Sequence, residues 1–239
     1  MSASPTESAP GGTMAAPDPG VSLELEGAYR VTYRILRTAL RAICKLWFRF
    51  EVHGRENLPA TGGFVLAPGA HRSIIDTPMV SLAGPRVLRY MGAENYFSIP
   101  VFGFFLKAMG GFPVERAATD RQAMRLAEWI LRNGEPLAVF PESTRGEGPI
   151  VGELKEGASF LACRTGVPIV PVGLGGGERA LPKGRNVARP RKIVLVIGEP
   201  IHPPVKEGRV KRSDVRGVTA ELHESLQQLF DEAQIRAGC

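Results

Sequence analysis

Cysteine is scarce in this chain of 239 residues: Cys44, Cys163 and Cys239 are the whole supply. Three thiols cannot build a disulfide framework and their spacing matches no zinc site, so a reducing compartment is expected. Histidine is almost as rare. None of His53, His71, His202 and His223 is spaced to share a metal on a helix, and no metal and no cofactor is expected. Long apolar runs are missing too. The longest stretch without an acidic or basic residue, Asn57 to His71, is broken by Pro59, Gly62 and Gly63. It falls short of the roughly 20 apolar residues that cross a bilayer, which excludes a transmembrane helix. There is no G-x-S-x-G nucleophile elbow, and Lys183 stands between Pro182 and Gly184, which is not a P-loop. Negative charge is in deficit, with 24 acidic against 30 basic residues and a net charge of +6. That excess points to an anionic partner. No aromatic-basic platform of a nucleic-acid reader accompanies it, so nucleic acid is not expected.

Residues 1–20 are small and rich in Pro, Gly and Ser; without a basic start or an apolar centre they predict a disordered tail, not a signal peptide. Residues 21–47 predict an amphipathic helix. Arg30, Arg34, Arg37, Arg41, Lys45 and Arg49 recur every three or four positions. Tyr29, Tyr33, Leu36, Leu40, Ile43 and Trp47 keep the same spacing on an adjacent face, widened by Ile35, Ala39 and Leu46. A one-signed basic face beside a Tyr/Trp/Leu face suits a helix lying in a membrane interface on anionic lipid, although a helix packed on its own domain shows the same pattern. The expected location is the cytoplasmic face of the cell membrane, as a peripheral protein.

Residues 48–239 alternate short β-rich runs with helical stretches. Strands are predicted over 48–53, 63–67, 87–91, 136–140, 167–174 and 191–197, and helices near 78–83, 99–109, 119–133, 155–165 and 213–235. This predicts a single α/β domain with a mostly parallel, helix-flanked sheet.

Chemistry concentrates at the predicted strand ends, where open α/β sheets form their sites. His71 follows the apolar strand GFVLAP, and Asp76 comes five residues later. On a continuous helix the two side chains would diverge; with His71 in the loop and Asp76 at the helix entrance, the carboxylate can fold back on the imidazole. A carboxylate on one ring nitrogen leaves the other as a base. Asp76-Thr77-Pro78 is equally a helix start. After the strand at 136–140 come Glu142, Ser143, Thr144 and Arg145, a set that can clamp a phosphate. Arg116 closes another apolar segment, and 96–112, with Phe102, Phe104 and Phe105, is apolar enough to line an acyl channel or touch lipid. The glycines at 173, 175, 176 and 177 follow a strand, a weak hint of a dinucleotide site.

Four ordered blocks over roughly residues 50–200 resemble the lysophosphatidic acid acyltransferases among the glycerolipid acyltransferases. They are H-x4-D (His71 to Asp76), the run Gly111-Phe-Pro-Val-Glu-Arg116, F-P-E-S-T-R (Phe140 to Arg145) and V-P-I-V-P-V (Val167 to Val172). Two positions depart from the family pattern: Ala70 stands where Asn often precedes the histidine, and Ser143 where Gly is usual.

The resemblance implies transfer of a fatty acyl group from a thioester, acyl-CoA or acyl carrier protein, to a lysophospholipid hydroxyl, giving phosphatidic acid. It implies His71 as base and Asp76 as its orienter. Arg116, Glu142, Ser143, Thr144 and Arg145 would hold the acceptor phosphate, while Trp47 and the phenylalanines would meet acyl chain or membrane. Glycerol 3-phosphate or another lysolipid as acceptor, a non-catalytic lipid-surface protein, and a nucleotide-dependent oxidoreductase are the competing readings.

Overall fold

The computed structural model describes residues 28–93, 97–114, 120–142, 146–185, 187–204 and 209–239. The chain order is α1 (Ala28–Trp47), β1 (Glu51–His53), a 3-10 turn (Arg55–Asn57), β2 (Val65–Pro68), α2 (Asp76–Val80), β3 (Arg89–Ala93), α3 (Pro100–Ala108), β4 (Gly111–Val114), α4 (Asp120–Arg132), β5 (Leu137–Ala138), α5 (Gly157–Thr165), β6 (Ile169–Gly175), α6 (Gly177–Ala180), β7 (Val194–Ile197) and α7 (Arg212–Ala237). Among the described residues, seven strands form one sheet in the order β1-β7-β6-β2-β5-β3-β4. Every pairing is parallel except β6 with β7.

Side chains alternate across the strands because the pleat has a period of two. Val65 and Ala67 of β2 enter one core with Leu126 and Ile130 of α4, Leu161 of α5, and Leu222, Leu226 and Phe230 of α7. Leu66 points the other way, into a core shared with Cys44 of α1, Met79 of α2 and Ala180 of α6. The result is a three-layer α/β/α domain. β4 was not anticipated as a strand. It carries Pro113 and lies at the sheet edge, where a missing backbone donor is tolerated.

α1 corrects the expected division of its faces. Tyr33, Leu36 and Leu40, read as part of a membrane stripe, turn inward with Cys44, and Tyr33 and Cys44 are buried. The apolar side chains that face outward are Val31, Ile35 and Leu46, with Ile43 and Trp47 on their shoulder; Ile35 is 62% exposed and Leu46 82%. The 3–4 spacing is obeyed by both stripes, so spacing alone cannot say which one meets the domain. No helix among the described residues is long and apolar enough to cross a membrane.

Candidate active site

β2 and β5 are parallel neighbours, with Val65 opposite Leu137 and Leu66 opposite Ala138. Parallel strands end on the same side, so the loop after Pro68 and the loop after Ala138 meet at the C-terminal edge of the sheet. This brings the H-x4-D block against the F-P-E-S-T-R block.

The loop turns at Ala70, whose φ of 53° is left-handed. A residue with a Cβ pays about 1–2 kcal/mol there, and asparagine pays less than most. That is the physical sense of an asparagine at this position in the family pattern. His71 follows, its side chain 17% open to solvent, with Nδ1 3.1 Å from Oδ2 of Asp76. An ionised carboxylate only accepts, so Nδ1 carries the proton and Nε2 keeps its lone pair. Asp76 is 2% exposed, and its Oδ2 also accepts from the backbone N–H of Arg72 (2.9 Å) and of Ser73 (2.7 Å). Asp76 begins α2 and its backbone N–H donates to Ser73 O at 3.1 Å. Its carboxylate is thus at the helix entrance yet folds back onto the loop. The Phe140 ring lies against the imidazole, with centroids 4.6 Å apart.

Glu142 stands beside this pair in a different capacity from the one expected. Its Oε1 accepts from the His71 backbone N–H at 3.2 Å; its Oε2 accepts from Arg72 Nη1 at 3.3 Å and from the Gly152 N–H at 2.9 Å. The carboxylate is committed to the protein itself. Arg72, buried, reaches further: Nε donates to Gly148 O and Nη2 to Ile150 O, and its guanidinium lies over the Phe230 ring. Gly146 donates its N–H to His71 O at 3.0 Å. One buried ion pair therefore ties the histidine loop, the 146–152 loop and α7 together.

Sequence reading missed three contributors. Arg72 passed as an unspecified position of H-x4-D, although an arginine beside a base in apolar surroundings needs a carboxylate partner. Ser73 supplies an amide to Asp76, and its hydroxyl donates to Leu181 O at 2.8 Å. Gly177 backs the aspartate so closely that a Cβ there would lie 2.3 Å from Asp76 Oδ1. Its neighbours Gly173 and Gly175 face α7: added Cβ atoms would lie 2.2 Å from the Leu229 carbonyl carbon and 2.1 Å from Ala233 O. The glycine cluster serves close packing, and the hint of a dinucleotide site has no support from it. Arg116, Ser143, Thr144 and Arg145 lie outside the described residues, as do the side chains of Phe102 and Phe105. Phe104 of α3 is 47% exposed and Trp47 is exposed at the end of α1.

A model of the acyltransferase family matches residues 49–175, more than half of the chain. This chain belongs to the acyltransferase family. Its similar proteins include several 1-acyl-sn-glycerol-3-phosphate acyltransferases. The 1-acyl-sn-glycerol-3-phosphate acyltransferase of Bacillus subtilis is 28% identical over 198 residues, covering 82% of this chain and 96% of that protein. The chloroplastic 1-acyl-sn-glycerol-3-phosphate acyltransferase LPAT1 of Arabidopsis thaliana is 28% identical over 171 residues. That match covers 67% of this chain but 48% of the plant protein, so the chain spans about half of that relative. The crystal structure of the 1-acyl-sn-glycerophosphate (LPA) acyltransferase PlsC from Thermotoga maritima superposes with a TM-score of 0.70 at 27% identity, over 89% of this chain and 83% of that one. The acyltransferase and its solved relative share the α/β fold.

Proposed function

We propose that this acyltransferase moves a fatty acyl group from an acyl thioester to the free hydroxyl of 1-acylglycerol 3-phosphate, yielding phosphatidic acid. The observation that carries the reading is the buried Asp76 carboxylate on Nδ1 of a partly open His71, 3.1 Å away. A free alcohol is a weak nucleophile. Nε2 of His71 takes the hydroxyl proton as the oxygen attacks the thioester carbonyl, and Asp76 stabilises the imidazolium that forms. The C–O bond forms, the C–S bond breaks, and the imidazolium returns the proton to the departing thiolate. General-base help of this kind supplies about 10²–10⁴-fold, with positioning adding more. The scheme needs no acyl-enzyme and no resident cofactor. The names of the Bacillus, Arabidopsis and Thermotoga proteins support the acceptor, and Arg116 and Arg145 are assigned to its phosphate. Acyl-CoA or acyl carrier protein serves as donor, and the outward apolar stripe of α1 rests on an anionic membrane surface.

Thiol release from acyl-CoA, measured against a panel of lysophosphatidic acid, glycerol 3-phosphate and other lysolipids, tests the proposal. The lysophosphatidic acid arm should dominate, and His71→Ala should lower it by at least about 10²-fold while leaving the circular dichroism unchanged. Turnover retained by that variant removes His71 from the chemistry. Preference for another acceptor reassigns the substrate.

A further inference from the structure

α1 carries a third face between its buried side and the outward apolar stripe. Tyr33, Arg34, Arg37, Thr38 and Arg41 line one wall of a crevice whose other wall is Pro85 and Val87, enclosing about 430 Å³. Arg37 is the fixed member. Its Nη1 donates to Pro85 O at 2.8 Å and its Nη2 to Gly84 O, while its Nε is buried with no hydrogen-bond partner among the described residues. The guanidinium also lies 5.8 Å from the Tyr33 ring centroid. Among the described residues no carboxylate pairs with Arg34, Arg37 or Arg41. Three like charges held together, with no paired carboxylate among the described residues, form a site that lacks its anion.

We propose that this crevice binds the phosphomonoester headgroup of a membrane lipid, at a place separate from the catalytic pair. The class follows from the donors. Guanidinium groups suit phosphate oxygens, and a monoester offers three terminal oxygens and close to two negative charges where a diester offers two oxygens and one charge. A bilayer source follows from position. At about 100° per residue, Arg34 and Thr38 lie next to Val31 and Ile35 around the helix. A membrane that receives the apolar stripe presents its headgroups at the mouth of the crevice. The crevice adjoins the 84–87 turn ahead of β3, whereas His71 lies beyond the C-terminal end of β2. The proposal rests on the membrane-surface reading of α1 and does not depend on the acceptor of the reaction.

The test is flotation of the full chain with phosphatidylcholine vesicles that carry either phosphatidic acid or phosphatidylglycerol, matched in surface charge. The wild type should prefer the phosphatidic acid vesicles. Arg34→Gln with Arg41→Gln should erase that preference and weaken binding to those vesicles by about 25-fold, fivefold for each arginine. Lys45→Gln with Arg49→Gln, equal in charge and outside the crevice, should weaken both vesicle types alike and keep the preference. Ile35→Ser with Leu46→Ser should weaken binding to every vesicle. Acyl transfer to micellar acceptor should be unchanged in the crevice variant; its loss would fault the fold of that variant, and Arg34→Gln alone, with an expected effect of about fivefold, then serves as the crevice substitution. Equal wild-type binding to the two anionic lipids, or equal effects of the two arginine and lysine pairs, overturns the built site in favour of diffuse attraction. Displacement by millimolar CoA or inorganic phosphate with no vesicle preference overturns the lipid source.

Discussion

At the scale of single residues, the candidate site depends on side chains that touch no reacting atom. Asp76 has one oxygen occupied by three donors, and its other oxygen faces Gly177. Gly177→Ala would drive a methyl group into that oxygen, so the carboxylate must tilt and carry the imidazole with it. A displacement near 1 Å lowers turnover by about 10²-fold, and we expect kcat to fall by that order with the acceptor KM nearly unchanged. Glu142→Gln tests the second support. The amide keeps the shape but removes the charge that Arg72 needs, leaving a buried cation unpaired. The expected result is a loss of about 3–5 kcal/mol in stability, measured by urea unfolding. Its kinetic effect should fall on kcat, in contrast to Arg145→Ala, which should raise the acceptor KM. The pairing of His71 with Asp76 was legible from sequence because five residues separate them across a strand end and a helix start. The role of Glu142 was not, since its partners His71, Arg72 and Gly152 are far from it or unremarkable in sequence.

At the scale of elements, α1 is a structural helix as well as a basic one. Cys44 is fully buried, and the second core takes in Phe48 and Leu40 with it. Burial pushes the Cys44 thiol up from 9.0 to about 11. The folded state therefore favours the neutral thiol, whereas the unfolded chain ionises it first. Its contribution to stability is intact below pH 9 and is lost as pH rises toward 11, with a slope of at most about 1.4 kcal/mol per unit. Cys44→Ala should lower stability near neutral pH and flatten that alkaline slope, as thermal unfolding at pH 7, 9 and 10.5 will report; an unchanged slope would place the thiol in water. The same packing means that removal of α1 would uncover the core, so point substitutions on its outer faces separate membrane contact from folding. The boundaries of α3, α4, α5 and α7 were legible to within a few residues because their apolar period is regular. β4 was hidden by its proline, and α6 by its brevity.

At the scale of the whole molecule, the order β7-β6-β2-β5-β3-β4 explains why three blocks separated in sequence lie side by side and the fourth lies at the sheet edge. Val167–Val172 forms the start of β6 on one side of β2, Phe140–Glu142 leaves β5 on the other, and Gly111–Val114 is β4 at the edge. Composition and alternation gave the class of sheet; they could not give the antiparallel pairing of β6 with β7, because a strand reads alike in both directions. α7 lies across β6 and β7, and the glycines of β6 set how close it comes. Gly173→Ala puts a methyl 2.2 Å from the Leu229 carbonyl carbon, a backbone clash that no rotamer relieves. α7 must lift, and Leu222, Leu226 and Phe230 lift with it, loosening the ring on which Arg72 rests. The expected cost is about 1–3 kcal/mol, accompanied by a fall in turnover. Gly217→Ala, inside the same helix with open space around it, should instead stabilise by about 0.5–1 kcal/mol and leave turnover alone. If the two alanines shift the unfolding midpoint in the same direction, the helix is not seated on β6 as described, and the coupling of the histidine loop to the C-terminal helix fails with it.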